Sequence, residues 1–206
     1  MYLTRVQIEL GGALYAGLTD AYAWHQSLWT AFPGRDGAKR DFLSRVDERG
    51  RQQEALVLSP IAPTPRTWGR WETRQVVSGF LRHTRYAFAL RANPTIKRVV
   101  RDDSGERRKN GRRTRICGAD ELRAWIERKA ADSGFRVEEG YTVSDPVDQI
   151  CWRCRRKVVH ARVDYQGVLT VTEPEAFQRA YCTGIGPAKA FGFGLLLLRP
   201  LRQEGR

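Results

Sequence analysis

The sequence predicts an α+β fold of two β-α-β-β-α-β modules in tandem. Period-two alternation of apolar and polar residues, typical of half-buried strands, recurs in both halves and begins at residues 6–10. Each half also contains helical segments with their own start and stop signals. Because both halves repeat the same order of elements, we expect each module to be a ferredoxin-like unit.

The first half is expected to contain one well-marked helix, capped by Thr19 or Asp20 and running to about Thr30. A proline-rich loop is expected at residues 59–71, and a second helix has no distinct signal in this half. The expected strands of the first module are residues 6–10, 41–46, 54–58 and 85–90.

The second half repeats this order of elements. A helix capped by Asp120 is expected to end at Gly134, and Pro174 suits the first turn of another helix. Gln166 and Gly167 form a hairpin signal between two apolar runs. The expected strands are residues 135–141, 157–165, 168–172 and 195–198.

The division into modules is expected near residues 92–96. It gives an N-terminal domain at residues 1–93, carrying the helix with His25, and a C-terminal domain at residues 94–206. The C-terminal domain contains a basic hairpin and a glycine-rich loop.

Charge is the strongest compositional signal. The 206 residues include 36 Lys and Arg against 23 Asp and Glu, a net charge of +13, which is typical of a nucleic-acid-binding protein. The longest apolar run is too short to span a membrane, and the N-terminus does not have the pattern of a signal peptide. With four cysteines and no export signal, we expect reduced thiols in the cytoplasm.

Two dense basic segments indicate where nucleic acid binds. The longer one surrounds Asn110 and Gly111, a strong two-residue turn signal, and we expect it to form a protruding ribbon. The alternative, a solvated surface loop, is the ordinary role of a charge run. The basic residues of the two segments are Lys97, Arg98, Arg101, Arg107, Arg108, Lys109, Arg112, Arg113 and Arg115 in the first, and Arg155, Arg156 and Lys157 in the second, which also includes Arg153.

A glycine-rich segment precedes the last expected strand. Glycines let the backbone approach a ligand closely, and successive N–H groups in such a loop can form an anion-binding nest. The segment lacks the spacing of a Walker A motif, and too few residues follow it for a dinucleotide-binding unit, so a nucleic-acid phosphate is the expected ligand. The candidate residues are Gly184, Gly186, Lys189, Gly192 and Gly194.

Acid–base chemistry is expected on the first helix, where Tyr22 and His25 share one face at spacing i, i+3. Imidazole exchanges protons near neutral pH, and a tyrosine hydroxyl can orient a reacting oxygen. Beside a phosphate-binding loop, the pair can cleave RNA without a metal ion, through attack of the 2′-hydroxyl on the adjacent phosphate. A core histidine packed beside Trp24, Trp29 and Phe32 is the alternative.

Cys151 and Cys154 have the spacing of half a zinc site. No second C-x-x-C or H-x₃₋₅-H pair accompanies them, and the acidic residues form no D-x-D-type pattern. We therefore expect no metal ion and no cofactor.

Several segments together resemble the CasE endoribonuclease family of type I-E CRISPR systems. They occur in the same order and span the whole chain. Their specific parts are the glycine loop and the strand Leu90-Arg91-Ala92-Asn93-Pro94. The matching segments are residues 1–6, 22–29, 88–94, 184–189 and 192–196.

The resemblance implies two ferredoxin-like (RRM-like) domains of the RAMP type. It also implies metal-independent cleavage of precursor crRNA at the 3′ base of the repeat stem-loop, with the 2′-hydroxyl as nucleophile and a 2′,3′-cyclic phosphate as product. The family's general acid or base and its assisting tyrosine correspond to His25 and Tyr22, and Arg91 on the matching strand joins the RNA-binding candidates. The expected partners are the repeat stem-loop, in precursor and mature crRNA, and other Cascade subunits, especially the backbone subunit next to the crRNA 3′ end.

A second hypothesis is a non-catalytic subunit of the same fold that binds the crRNA hairpin. Charge, fold and glycine loop suit both hypotheses, whereas Tyr22 and His25 favour the enzyme. A DNA-binding protein is a weaker third hypothesis, because the chain has no helix-turn-helix or zinc-finger signature.

Overall fold

The computed structural model describes residues 1–35, 41–98 and 112–201, which form two antiparallel sheets, a short ribbon and four α-helices. No helix in these ranges is long and apolar enough to cross a membrane. The helices are α1 (Leu10–Tyr15), α2 (Ala21–Trp29), α3 (Ala119–Asp132) and α4 (Pro174–Thr183). The strands are β1 (Tyr2–Glu9), β2 (Leu43–Arg49), β3 (Gln52–Ser59), β4 (Arg70–Gln75), β5 (Arg85–Ala92), β6 (Thr95–Arg98), β7 (Arg112–Arg115), β8 (Phe135–Val137), β9 (Thr142–Val143), β10 (Val147–Arg153), β11 (Arg156–Val171) and β12 (Leu196–Pro200).

The first sheet has the order β2-β3-β1-β4, which is the ferredoxin-like order. Residues Thr4, Val6 and Ile8 of β1 are buried, as the alternation predicts. Trp24 and Leu28 of α2 pack on this side. The connection from β3 to β4 is a loop rather than the second helix of the motif, because the prolines in this segment disfavour a helix there.

The second sheet is also ferredoxin-like, with β12, β5 and β11 in order and β8 and β9 on the far side of β11. This corrects the expected boundary at residue 93, because β5 pairs with β11 and β12 and so belongs to the second sheet. The fourth strand of the first sheet is instead β4. Its residues are mostly exposed and many are charged, so it lacks the alternation of apolar and polar residues that indicates a strand.

The expected hairpin at Gln166 and Gly167 is wrong, because β11 runs unbroken through both residues opposite β5. Gly167 has a packing role: a Cβ at this position would lie 2.6 Å from Cβ of Tyr141. The turn lies earlier, at Cys154 and Arg155, where β10 meets β11. Both turn residues have positive φ, 49° and 60°, as tight two-residue hairpins require.

The boundaries of α2, α3 and α4 follow the expected signals with one exception, whereas α1 has no counterpart among the expected elements. Asp20 caps α2, Pro174 opens α4, and Gly134 follows α3 with φ of 74°. The cap of α3 differs: the capping position is Gly118, and Asp120 lies inside the first turn, where its charge still suits the helix dipole.

The two modules pack against each other through an apolar seam and an ion-pair network. Leu43 and Leu58 of the first sheet form one buried cluster with Tyr181 and Leu195 of the second module. This contact brings α2 beside β10 and beside the glycine-rich loop.

Candidate active site

Tyr22 and His25 lie on one side of α2, as the sequence predicts. Their ring centroids are 6.3 Å apart. His25 is half-buried and its ring lies 5.2 Å from that of Phe42, so it borders the core without being enclosed in it. The buried aromatic residue of this helix is Trp24, whose indole donates to Gln53.

The glycine-rich loop contributes an aromatic residue to this site. Phe191, in a short 3-10 turn (Lys189–Phe191), stacks on Tyr22 with ring centroids 5.4 Å apart. Its other neighbour is His160, at 4.4 Å, and burial lowers the pKa of this imidazole. The backbone oxygen of Phe191 accepts a hydrogen bond from Gln149 of β10 at 2.7 Å. Tyr22 is therefore held by a packed aromatic stack.

The loop glycines shape this turn more than they offer N–H groups to a ligand. The N–H of Gly184 donates to Ala180 and that of Gly194 to Arg91, each at 2.8 Å, which removes these two from the expected phosphate nest. A Cβ on Gly194 would lie 2.7 Å from a backbone oxygen, and one on Gly186 would lie 3.2 Å from the ring of Trp125.

The other two candidates of the loop are Gly192 and Lys189. Gly192 is adjacent to the start of α2, since a Cβ there would lie 3.8 Å from Cβ of Ala21. The Lys189 ammonium donates to the Thr183 oxygen at 2.6 Å, so it helps to close the loop on itself.

The β10–β11 hairpin also borders Tyr22. Arg153 lies with its guanidinium carbon 5.9 Å from the centroid of the Tyr22 ring. The N–H of Trp152 donates to Oδ2 of Asp20 at 2.8 Å, although the Trp152 side chain is 59% exposed. The hairpin thus reaches the N-terminus of the helix that carries Tyr22 and His25.

Cys151 packs against that helix. Its side chain is fully buried, whereas Cys154 is exposed at the turn. Burial, together with the nearby Asp20 carboxylate, raises the pKa of the Cys151 thiol. Among the described residues, no group of three or more His, Cys, Asp or Glu side chains is arranged to hold a metal ion. In this C-x-x-C pair, Cys151 is a residue of β10 and Cys154 a residue of the turn.

The basic candidates lie on the two ribbons. In the β6–β7 ribbon, exposed Lys97 stands opposite exposed Arg113, and Arg115 pairs with Asp148 of β10 at 2.7 Å. Arg155, Arg156 and Lys157 are exposed at the β10–β11 turn. Strands β6 and β7 support the expected ribbon, but its tip lies outside the described residues, as do Arg101, Arg107, Arg108 and Lys109; Arg98 and Arg112 lie on its strands.

Arg91 is not available to RNA, and this corrects its place among the RNA-binding candidates. It is 7% exposed. Its guanidinium donates to Asp164 at 2.9 Å, to Asp47 at 2.8 Å and to the backbone oxygen of Val46 at 2.8 Å. Because β5 and β2 lie in different sheets, Arg91 ties the two modules together.

A polar cleft of about 470 Å³ lies beside this network, between α2, β2 and β10. Burial acts to raise the pKa of Asp47, one of the lining residues, but ion pairs with Arg45 and Arg91 outweigh it and hold that pKa below its usual value. The cleft separates the Arg91 network from the start of α2.

Sequence reasoning missed three features that shape the site: the inter-module contact of Asp20, the ring contact of Arg153 and the stacking of Phe191. Asp20 is predictable as a helix cap, but its second partner is 132 residues away in the chain. No local pattern indicates such a contact.

Comparisons with known proteins agree with this fold and with the resemblance seen in the sequence. A family model described as "CRISPR associated protein" matches residues 1–200. The chain is 34% identical to the CRISPR system Cascade subunit CasE of Escherichia coli (strain K12), over 98% of this chain and 100% of that protein.

A second relative is the CRISPR-associated endoribonuclease Cse3 of Thermus thermophilus, 33% identical over 56% of each chain. A structure of the CRISPR endoribonuclease Cse3 bound to 19 nt RNA superposes with a TM-score of 0.79. That pair is 23% identical, with 97% of this chain and 100% of the other covered, and it supports the two-module fold.

Proposed function

This chain belongs to the CasE family of CRISPR-associated proteins, and on that premise we propose that it is a metal-independent endoribonuclease that cleaves precursor crRNA. Cleavage falls at the 3′ base of the repeat stem-loop. The observation that carries the proposal is the position of Tyr22 and His25 on α2, directly beside a hairpin whose turn is basic and exposed. A proton-transfer pair and a phosphate-binding surface are thus adjacent.

The proposed reaction is a transesterification within the RNA. The 2′-hydroxyl loses its proton and attacks the adjacent phosphate, the bond from phosphorus to the 5′-oxygen breaks, and that oxygen takes up a proton. The products are a 2′,3′-cyclic phosphate and a 5′-hydroxyl. His25 and Tyr22 supply these two proton transfers, one as the base and the other as the acid, and positioned acid–base catalysis contributes roughly 10²–10⁴ in rate.

The Tyr22 ring is in contact with the stacked ring of Phe191 and with the guanidinium of Arg153. A tyrosine fixed in this way loses little rotational freedom when substrate binds, which favours a productive geometry. The Arg153 charge also suits stabilisation of negative charge on the reacting phosphate.

RNA binding is assigned to the two basic ribbons. Like charges face each other across both of them, at Lys97 and Arg113 and at Arg153 and Arg156. Such pairs destabilise a free ribbon, so a polyanion that neutralises them is a natural partner. The proposed RNA-binding set is Lys97, Arg98, Arg101, Arg107, Arg108, Lys109, Arg112, Arg113, Arg115, Arg153, Arg155, Arg156 and Lys157, with Gly186, Lys189 and Gly192 of the glycine-rich loop.

We further propose that the protein keeps its product and joins a Cascade assembly through the bound crRNA, as the name of its E. coli relative suggests. The four cysteines are free thiols, which agrees with action in the reducing cytoplasm.

The test uses a labelled hairpin of the cognate CRISPR repeat in EDTA, beside the same RNA with a 2′-deoxy nucleotide before the cut. We expect cleavage of the first RNA only. His25→Ala should abolish cleavage and leave hairpin affinity nearly intact, whereas His83→Ala, at an exposed histidine outside the site, should cleave normally. Tight binding without cleavage of either RNA would favour a non-catalytic hairpin-binding subunit.

A further inference from the structure

One carboxylate joins the catalytic helix to the basic hairpin. Oδ1 of Asp20 accepts the N–H groups of Tyr22 and Ala23, at 2.8 and 2.9 Å, and so caps α2. Oδ2 accepts the N–H of Trp152 in β10 at 2.8 Å. The two oxygens therefore bind elements of two different modules.

The hairpin needs such a contact to be oriented. Residues 156–162 of β11 extend past the end of β5 and pair with β10. An isolated two-stranded ribbon is marginally stable, so the direction of this one depends on what it packs against. Asp20 and the hydrogen bond from Gln149 to Phe191 attach it to the site.

We propose that Asp20 is a positioning residue that couples the β10–β11 hairpin to α2, so that RNA held by the hairpin meets Tyr22 and His25 in register. This inference rests on the proposed ribonuclease function. Arg153 follows Trp152 directly and borders the Tyr22 ring, so a shift of Trp152 relative to α2 separates the phosphate-binding group from the proton-transfer pair. A misplacement of about 1 Å can cost roughly 10²-fold in rate.

Two variants separate this role from helix capping. Asparagine and serine are both good N-cap residues, so Asp20→Asn and Asp20→Ser retain the start of α2. In Asp20→Asn, the side-chain NH₂ faces the N–H of Trp152, so two donors meet and the hydrogen bond is lost. In Asp20→Ser, the side chain is too short to bind both α2 and β10. Asp132→Asn is the matched control, since it makes the same chemical change at an exposed carboxylate of α3 that binds Lys129.

The first measurement separates rate from affinity. Single-turnover cleavage of the repeat hairpin gives the rate constant, and the 2′-deoxy hairpin gives the dissociation constant without turnover. We expect Asp20→Asn and Asp20→Ser to slow cleavage about 10- to 100-fold with nearly unchanged affinity and thermal midpoint, and Asp132→Asn to match the parent. An undiminished rate, or an affinity loss as large as the rate loss, would overturn the proposal.

The second measurement does not depend on cleavage. Hydrogen exchange is followed in peptides covering α2 and β10–β11, with and without the 2′-deoxy hairpin. In the parent, RNA should protect both segments; in Asp20→Asn it should protect the hairpin and leave α2 unchanged. Equal protection of α2 in both proteins would refute the coupling, while coupled protection in a parent that does not cleave RNA would refute only the proposed reaction.

Discussion

Arg91 allows a quantitative test of how the two modules are joined. Its guanidinium makes four hydrogen bonds, to both carboxylate oxygens of Asp164, to Asp47 and to the Val46 oxygen, at 2.8–3.3 Å. Arg91→Ala removes all four and leaves two largely buried carboxylates short of a cation. Removing one partner of a buried ion pair costs about 3–5 kcal/mol.

The lower end of that range applies, because each carboxylate keeps another arginine. Arg45 bonds Asp47 at 2.8 Å, and Arg162 lies 3.6 Å from Asp164. For a protein of this size, a loss of about 3 kcal/mol lowers the thermal midpoint by roughly 6–12 °C. Thermal unfolding followed by circular dichroism at pH 7 measures it.

The matched control is Arg49→Ala, which removes an arginine that is 67% exposed from its pair with Glu54. Exposed pairs contribute about 1 kcal/mol or less. If Arg91→Ala destabilises no more than this control, the network does not join the modules. The salt dependence of RNA binding should also be unchanged in Arg91→Ala, because a buried arginine releases no counterions from RNA.

Three further predictions concern charge, the glycine loop and RNA. The pKa of Asp47 is lower in the folded protein than in the unfolded chain. The ionised carboxylate therefore stabilises the fold above the unfolded pKa of about 4, and this stabilisation is lost as pH falls through the native pKa. The stability difference between the parent and Asp47→Asn should shrink below about pH 4, and a constant difference would contradict this. Gly192→Ala should lower the free energy of unfolding by about 1–2 kcal/mol because of the positive φ alone. Gly194→Ala should lower it clearly more, because the added Cβ would lie 2.7 Å from a backbone oxygen. Equal thermal midpoints for the two variants would argue against the loop geometry. Replacing Arg113 and Arg115 with Glu should weaken hairpin binding and flatten its salt dependence, and an unaltered slope would place the RNA elsewhere.

Local patterns predicted most of the fold. Alternation in β1, the Asp20 cap of α2 and the Pro174 start of α4 depend on nearest neighbours in the chain, and all three are confirmed. The errors concern which strands pair with each other. The strand predicted at residues 85–90 is confirmed within β5, but which sheet a strand joins depends on long-range pairing.

The error at the β11 hairpin arises because turn chemistry does not always mark a turn. Gly167 has the chemistry of a hairpin residue, yet it is a glycine because Tyr141 packs against it. The actual turn uses Cys154 and Arg155, which are not typical turn residues, so composition does not reveal it.

For the site, the sequence predicted Tyr22 and His25 together because helical spacing alone places them on one face. Charge density marked both basic segments for the same local reason, the first with an expected ribbon because of its Asn110-Gly111 turn signal and the second without an expected hairpin. It misassigned Arg91, because a formal charge does not reveal whether carboxylates from other strands surround it. Asp47 and Asp164 do so here.

The site is assembled from both halves of the chain, since α2 comes from the first module and the β10–β11 hairpin from the second. An exchange of whole modules between two members of this family would therefore combine the helix of one protein with the hairpin of the other. Recombination at the boundary between the modules should therefore be poorly tolerated. The helix and the hairpin form one functional unit, although each belongs to a different module.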